Sequence, residues 1–331
     1  MSNQEVYEAI TRRMIKALEG GTVPWRRPWN VGTGRPMRMS TGDPYRGINV
    51  QLLAMTAQER GYTSRWWGTY DEIARRSGME KRTSARGHSY WASPDGTPRG
   101  VRKGETGTKI VLSKTVTKNE TDPDTGERAE RQVYLLRMWS VFNAEQAEQL
   151  PRKYHEQPVA EVRDAEQILD GYLQHGGPKL AYHLATGGKL DAHYNPVADR
   201  IMLPRREQFR TLEGFYATAF HEAAHSTGHK SRHARESLTD FSHDRKWGDP
   251  QYAREELVAE MGSAMLQATA GIETDYQFDQ SAAYVQSWLN ALEKDPTLVP
   301  QAAAAAQRAV DLITEPQRQA ERESEAEREA A

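Results

Sequence analysis

Two histidines and one glutamate in the C-terminal half have the residue types and the spacing of a metal-binding motif. The sequence at 221–225 is His-Glu-Ala-Ala-His, and the apolar residues around it favour a buried helix. On a helix, residues four apart lie one turn apart, so His221 and His225 can bind one ion from the same face. Glu222 lies about 100° around the helix from His221, where it can accept a proton from water without being a ligand. The motif predicts one Zn²⁺ ion in a peptidase-type site with Glu222 as general base, and Mn²⁺ or another divalent ion is the alternative metal.

The third ligand has to come from elsewhere in the chain. An extended form of the motif would place a histidine at position 231, where the chain has Ser231. A downstream helix offers Glu256 as the ligand and Glu260 to hydrogen-bond a ligand imidazole from behind, as in the thermolysin-like arrangement. Glu255 is the alternative ligand. His229, one turn farther along the chain, is of a kind more often found on the surface, although a second role for it stays open.

Two tyrosines and a strand could complete a peptidase site. Residues 194–203 are expected to include an edge strand that could align the backbone of a peptide substrate. Tyr194 and Tyr252 could each donate a hydrogen bond to an oxyanion, but such tyrosines are more often packing residues with a satisfied hydroxyl. The metal motif also has simpler interpretations, since it can arise by chance or hold a purely structural ion.

The pattern of apolar residues places the metal motif on the first of two long helices. We expect these helices over 211–227 and 250–270, with Asp249 as the N-cap of the second and Gly271 past its end. Further helices are predicted over 5–18, 48–60, 70–76 and 161–174. Strands are predicted near 109–112, 132–143, 179–185 and 194–203. The chain after residue 300 is rich in Ala, Glu, Arg and Gln, which predicts a solvated helix or a disordered tail.

Length and composition indicate a globular protein with two cores. The chain has 331 residues, of which 37% are hydrophobic and 27% charged. No apolar run approaches the roughly 20 residues of a membrane-spanning helix, and the polar N-terminus does not resemble a secretory signal. The absence of cysteine excludes disulfides and thiolate zinc fingers. We therefore expect a cytoplasmic protein with no membrane partner.

Positive charge and tryptophan are concentrated in the N-terminal part. Residues 1–118 contain 21 Lys and Arg against 10 Asp and Glu, a net charge of +11, whereas the rest of the chain carries −13. This composition suits single-stranded nucleic acid, because cations contact phosphates and flat rings stack on unpaired bases for about 1–3 kcal/mol each. For any single tryptophan the core is still the more common location. The candidate DNA-binding residues are Trp25, Arg26, Arg27, Trp29, Tyr45, Arg46, Trp66, Trp67, Arg102 and Lys103.

Several separate motifs, in the same order, resemble those of the ArdC-type antirestriction proteins of conjugative plasmids and phages. The N-terminal motifs are Val-Pro-Trp at 23–25, Pro-Tyr-Arg-Gly-Ile-Asn at 44–49, Trp-Gly-Thr-Tyr at 67–70 and Val-Arg-Lys-Gly-Glu at 101–105. The C-terminal motifs are the segments 194–204, 217–229 and 252–260. The likeness covers most of the chain. This sequence departs from the family pattern at position 233, where it has His233 after Arg232 and the family usually has leucine.

The resemblance implies an α+β protein of two domains. An N-terminal mixed α/β domain that binds single-stranded DNA would span 1–148, and a zincin-like metallopeptidase domain would span 161–300. A polar stretch with two prolines favours a linker over 149–160, and 301–331 would be a charged tail. Carried over to this chain, His221, His225 and Glu256 would bind the metal and Glu222 would be the base. The implied function is the protection of entering plasmid or phage DNA from host restriction.

Three functional hypotheses remain open at this point. A DNA-bound zinc peptidase could cleave a restriction-system protein or another protein near the transferred strand. A binding protein could instead coat single strands, with a structural metal site and no turnover. A primase-accessory protein in DNA transfer would have the same affinity for DNA but would depend on a partner enzyme.

Overall fold

The chain folds into nine α-helices, three short 3-10 helices and eleven strands in the residues that the computed structural model describes, namely 2–25, 35–121, 128–156, 165–185, 190–239, 250–272 and 282–330. The helices are α1 (Asn3–Glu19), α2 (Ile48–Arg60), α3 (Tyr70–Arg76), α4 (Ala165–Gln174), α5 (Leu212–Ser226), α6 (Glu236–Thr239), α7 (Pro250–Thr269), α8 (Ala282–Lys294) and α9 (Leu298–Ala330). The strands are β1 (Met37–Arg38), β2 (Trp66–Gly68), β3 (Glu80–Thr83), β4 (Ser89–Ala92), β5 (Gly100–Val101), β6 (Thr108–Thr121), β7 (Arg128–Asn143), β8 (Ala147–Glu148), β9 (Lys179–His183), β10 (His193–Asn195) and β11 (Arg200–Pro204).

Local sequence signals set many of the helix limits. Ser2 and Glu5 form a capping box at the start of α1, in which each side chain accepts a hydrogen bond from the other residue's amide. The Thr69 hydroxyl caps α3, and Gly61 ends α2 in the left-handed conformation. As a result, the helices predicted at α2 and α3 are confirmed at the same limits.

The N-terminal part is built on a four-stranded sheet with the order β1-β2-β7-β6. The strands β6 and β7 form an antiparallel hairpin that is longer than the strands predicted there. Asn49 of α2 partly closes the free edge of β6, because its side chain donates to the Val111 carbonyl and accepts from the Val111 amide, both at 2.7 Å. The start of α2 therefore lies against the sheet edge and blocks pairing with another strand at that point.

The C-terminal part packs α5 against α7 and against a three-stranded sheet with the order β10-β11-β9. The strand β10 is an edge of this sheet and runs antiparallel to β11. The two helices approach closely where Gly262 faces Ala224, since a Cβ on Gly262 would lie 3.0 Å from the Ala224 Cβ. The Ser263 hydroxyl also donates to the Ala217 carbonyl across this contact at 2.9 Å. This close approach brings glutamates of α7 to the histidines of α5.

One hydrophobic cluster joins the two halves of the chain. It combines the apolar face of α1 and Trp25 with residues of α7, α8 and α9. Trp25 contacts Trp288 of α8 edge-on, with ring centroids 5.4 Å apart. Leu150 and Tyr154, inside the proposed linker, are buried in a cluster of the N-terminal part. The exact domain limits stay a prediction, but the two halves share a core.

The expectation of a solvated tail after residue 300 is wrong for the first part of α9. Val299, Ala303, Ala306, Val310 and Ile313 are buried at the three- and four-residue spacing of one helix face. This face packs on both halves of the molecule. The composition was misleading because alanine is a weak apolar signal in a sequence, although its small side chain lets helices pack closely.

The remaining elements agree in part with their predictions. The predicted helices over 5–18 and 161–174 correspond to α1 and α4, and the two predicted C-terminal strands correspond to β9, β10 and β11. The helix α8 was not predicted, and Asp249, the predicted N-cap of α7, lies outside the described residues. None of the helices in the described ranges has the length and apolar character that crossing a membrane requires.

Candidate metal centre

Three side chains from α5 and α7 converge in one cleft. His221 Nε2 lies 3.1 Å from His225 Nε2, and oxygens of Glu256 lie 3.6 Å from each of these nitrogens. One ligand atom from each residue lies within 4.8 Å of the other two. A tetrahedral zinc ion with bonds of about 2.0–2.1 Å separates its ligand atoms by about 3.3 Å. The three groups therefore fit a single ion with little movement.

The charges around these side chains favour a cation. Burial by itself would lower the pKa of His225, but the carboxylates of Glu256 and Glu255 outweigh burial and raise this pKa to about 9. Burial would raise the pKa of Glu256, but the imidazoles of His225 and His221 lower it to about 2. The buried acids thus stabilise positive charge at the imidazole nitrogens, and a divalent metal ion would supply such a charge.

The cleft has a volume of about 460 Å³ and also contains the candidate base. Glu222 is only 7% exposed and lines the cleft beside the three metal-binding candidates. Tyr252 of α7 hydrogen-bonds Glu256 from the same cleft. Residues of the edge strand β10, among them His193 and Tyr194, form part of its wall. The arrangement places an acid, a hydroxyl and the edge strand β10 of the described sheet around one candidate metal position.

The residue behind His225 is Glu255, which corrects its prediction as the alternative ligand. Glu255 Oε1 lies 3.1 Å from His225 Nδ1, so it orients the imidazole from behind and is not the alternative ligand. Glu260, predicted for this supporting role, accepts a hydrogen bond of 2.7 Å from Trp25 Nε1. Residues 255 and 260 lie on different faces of α7, so Glu255 supports His225 while Glu260 contacts Trp25, and a hydrogen bond from Glu260 to a ligand imidazole stays a prediction.

Arg235 holds Glu255 in place, and no sequence signal predicted it. Its guanidinium donates to both Glu255 oxygens, at 2.8 and 2.5 Å. It also donates to the carbonyls of Ala224 and His225 at the end of α5, at 2.9 and 3.0 Å. One largely enclosed cation therefore fixes α5, the supporting acid and the candidate ligand His225 relative to one another.

Gly228 leaves the space that Arg235 occupies. A Cβ on Gly228 would lie 2.6 Å from Leu238 Cδ1 and 2.8 Å from Arg235 Cζ. A larger residue would displace one of these groups. Glycine is thus explained at position 228, because the Arg235 side chain occupies the adjacent space and contacts the last carbonyls of α5.

Tyr194 has a structural role in this arrangement. Its hydroxyl donates to Asp199 at 2.8 Å, and Arg232 contacts both oxygens of the same carboxylate. Arg232 also donates to the Ser226 carbonyl at 2.8 Å, which links α5 to the turn between β10 and β11. His229 lies beside this group, with Nδ1 3.8 Å from Asp199, and not among the three convergent ligands. The satisfied-hydroxyl interpretation therefore fits Tyr194. The Tyr252 hydroxyl also has a partner, but that partner is the candidate ligand Glu256 inside the cleft, so Tyr252 stays the candidate oxyanion donor.

The predicted DNA-binding residues do not form one exposed surface. Trp25, Tyr45 and Trp67 are at most 5% exposed and belong to hydrophobic clusters, so stacking on a base is corrected to a core role for these three rings. Trp66 is half-buried and packs edge-on against Tyr154, with ring centroids 5.3 Å apart.

The cationic candidates are distributed over different elements. Arg46 is half-exposed and forms an ion pair with Asp311 of α9. Arg102 donates to Glu105 at 2.6 Å, and Lys103 next to it is exposed. Arg26, Arg27 and Trp29 lie outside the described residues.

Comparison with known proteins identifies both halves of the chain. Residues 4–142 match the model of the N-terminal domain of anti-restriction factor ArdC, and residues 179–305 match that of a zincin-like metallopeptidase. A DNA primase TraC of Escherichia coli is 34% identical over an alignment 328 residues long, which covers 93% of this chain but 27% of that protein. The chain thus spans about a quarter of that relative, and about a fifth of a second TraC primase that is 33% identical. An uncharacterized protein y4eC of Sinorhizobium fredii is 29% identical, over 96% of this chain and 94% of that one.

Solved structures give the same result over nearly the whole chain. The metal-free crystal structure of the antirestriction ArdC protein from plasmid R388 matches with a TM-score of 0.70 and 39% identity. The Mn(II)-bound structure matches with a TM-score of 0.67 and 37% identity, and both cover 94% of this chain and 97% of the solved one. The two-domain α+β architecture is therefore confirmed, and the chain belongs to the ArdC-type antirestriction proteins, with an ArdC-type N-terminal domain and a zincin-like metallopeptidase domain.

Proposed function

We propose that this chain binds single-stranded DNA and acts as a metal-dependent peptidase, in the cytoplasm, to protect entering plasmid or phage DNA from restriction. The observation that carries the proposal is the convergence of His221, His225 and Glu256 with Glu222 in one cleft. Zn²⁺ is the proposed metal because two imidazoles and a carboxylate suit it. Mn²⁺ is the alternative, since a related ArdC protein has an Mn(II)-bound structure.

The residues of the cleft have distinct chemical tasks in this proposal. A divalent ion held by the three ligands would supply the Lewis acidity that activates water and a peptide carbonyl. Glu222 removes the proton of the attacking water and passes it to the leaving nitrogen. Tyr252 donates a hydrogen bond toward the developing oxyanion, and the backbone of β10 aligns the peptide as an added strand. The edge position of β10, beside the cleft, supports this alignment.

DNA binding is the second part of the proposal. The net charge of +11 over residues 1–118 supports a polyanionic partner. The match of residues 4–142 to the N-terminal domain of ArdC supports the same partner. The protein substrate would be a restriction-system protein or another protein near the entering strand.

Glu222→Gln tests the peptidase part. The variant should keep metal and DNA binding, because glutamine preserves the shape of a residue that is not a ligand. We expect peptidase activity to fall by about 10²–10⁴-fold, since a general base contributes about that factor. Glu213→Gln, an exposed position on the same helix, is the matched control.

The readouts are metal content, hydrolysis of a labelled casein, and plasmid transfer into restricting and non-restricting hosts. If Glu222→Gln protects transferred DNA as well as the unchanged protein does, antirestriction does not depend on proteolysis. The function would then be that of a single-strand-coating protein with a structural metal.

A primase-accessory role is the second candidate function. The similarity of 93% of this chain to part of the TraC primases favours it. It predicts that the protein stimulates primer synthesis by a partner primase on single-stranded templates. Stimulation that persists in Glu222→Gln, together with absence of protection, would favour this role over the antirestriction one.

A further inference from the structure

Among the described tryptophans of the N-terminal part, the exposed one lies on the β6–β7 hairpin and is not one of the predicted DNA-binding residues. Trp139 of β7 is 49% exposed, whereas Trp25 and Trp67 are at most 1% exposed. Leu112 of β6 is 43% exposed on the same hairpin. Both are large apolar side chains in contact with solvent, and the two lie close together.

Strand register places these residues on one face of the sheet. Ile110 pairs with Trp139, Leu112 with Arg137, and Lys114 with Leu135. Directly paired residues in antiparallel strands point to the same side, and residues two apart along a strand share that side at about 6.6–6.8 Å. Leu112, Lys114, Leu135, Arg137 and Trp139 therefore form one continuous surface, which we call the hairpin face.

The hairpin face combines a flat ring with two cations. Arg137 and Lys114 are exposed, and neither forms an ion pair in the part of the chain that the structure describes. The opposite side of the hairpin is covered, because Val111 and Leu136 are buried in the cluster that contains α1. On the Trp139 side the exposed groups are Leu112, Lys114, Arg137 and Trp139 itself, whereas Ile110, the partner of Trp139, is buried against α2 and anchors that end of the face.

We propose that the hairpin face binds single-stranded DNA, with an unpaired base stacked on Trp139 and backbone phosphates bound by Arg137 and Lys114. An exposed ring flanked by cations on a sheet surface offers the two interactions that single strands require. The net charge of +11 over residues 1–118, which include Leu112 and Lys114, favours an anionic partner for the N-terminal part. This inference rests on the proposed function, because it locates the DNA-binding surface of the same protein.

Trp139→Ala in the full-length, metal-loaded protein tests the stacking contact. Binding of a labelled oligothymidylate should weaken by about 5- to 150-fold, the range expected for loss of one stacked base. Trp139→Phe should recover most of the affinity, because it restores a flat ring. Since Trp139 is half-exposed, the thermal unfolding temperature should change little, which separates lost binding from lost folding.

Arg137→Gln tests the phosphate contact. The slope of log affinity against log salt concentration should become shallower by about 0.7, the value for one phosphate contact on a single strand. Lys179→Gln, at an exposed position of β9 in the C-terminal half, is the charge-matched control and should leave the slope unchanged.

The outcomes separate this inference from the proposed function. If the unchanged protein binds oligothymidylate and Trp139→Ala binds equally well, the DNA lies elsewhere and the hairpin-face proposal is wrong. If the unchanged protein binds no single-stranded DNA, the DNA-binding part of the proposed function is itself wrong. A change in sedimentation of Trp139→Ala without a change in DNA affinity would show that the face contacts a second copy of the chain, and would also overturn the proposal.

Discussion

At the residue scale, the metal centre depends on side chains that are not themselves metal ligands. Arg235 binds both oxygens of Glu255, and Glu255 in turn contacts His225 at 3.1 Å. A ligand imidazole held in this way keeps its orientation and the correct nitrogen free for the metal. Gly228 belongs to the same arrangement, because its missing side chain leaves room for Arg235.

Glu255→Gln should weaken metal binding by about 10- to 100-fold, the usual effect of removing such a supporting group. Glutamine has nearly the same shape but lacks the charge that pairs with Arg235 and favours the metal-bound imidazole. Competition with a chromogenic chelator measures the change. Glu260→Gln is the control, because glutamine can still accept from Trp25, and its effect on metal affinity should be smaller. A larger effect at position 260 than at 255 would restore the original assignment of the supporting acid.

Gly228→Ala should destabilise the protein by about 1–3 kcal/mol, because the added methyl group collides with Leu238 and Arg235. The metal content should also fall, since Arg235 would be displaced from Glu255. Urea denaturation and metal analysis give the two readouts. Gly171→Ala in α4 is the matched control, because the nearest atom to its Cβ would be 3.8 Å away. Equal stability of the two variants would refute this explanation of Gly228.

At the element scale, α9 is a structural component of both halves. Its buried face contacts the cluster that contains α1 and the cluster that contains α4 and α5. Gln307 of α9 accepts hydrogen bonds from Arg35 and from the Gly47 amide, at 3.1 and 3.2 Å. Polar and apolar contacts together thus fix the start of α2 against α9.

Ala303→Glu and Ala304→Glu form a matched pair that tests the burial of α9. Ala303 is fully buried and Ala304, the next residue, is exposed. A carboxylate at 303 would lose its hydration without a partner, so we expect several kcal/mol of destabilisation or failure to fold. The same change at 304 should stay within about 0.5 kcal/mol of the unchanged protein. Thermal unfolding followed by circular dichroism distinguishes them, and similar behaviour of both variants would indicate a solvated tail after all.

At the scale of the whole molecule, Trp25 connects the N-terminal part to the helix that carries the candidate metal ligand Glu256. Its ring packs in the shared cluster, and its Nε1 donates to Glu260 of α7 at 2.7 Å. A residue predicted to contact DNA is therefore part of the contact between the two halves. The shared core predicts that both halves unfold together.

Trp25→Phe removes the donor to a buried carboxylate and should lower the free energy of unfolding by about 1–3 kcal/mol. Trp91→Phe removes a comparable hydrogen bond of 2.8 Å to Asp71, but that bond is exposed, so its loss should cost less. Urea denaturation, followed by circular dichroism, compares the two variants. Equal losses would mean that the contact between Trp25 and Glu260 contributes nothing beyond an exposed bond.

Local sequence information determined the identity of the protein and most of its elements. The His-Glu-x-x-His spacing specifies a helix face with two ligands, because it depends only on helical periodicity. The candidate third ligand Glu256 came from the thermolysin-like arrangement, and the sequence left Glu255 as an alternative. Capping residues such as Thr69 and the left-handed Gly61 fixed helix limits for the same local reason.

Tertiary structure alone decided which residues support those candidate ligands and which aromatic rings are exposed for contact with DNA. The rotation of α7 against α5 brings Glu255 to His225 and turns Glu260 toward Trp25, and no short sequence window contains that angle. The sequence also does not show which tryptophans are buried, since this residue type is equally suited to a core and to a stacking surface. Period-two alternation in β7 could have indicated Trp139 beside Arg137, but only the packing of α1 and α2 on the hairpin shows which face stays exposed.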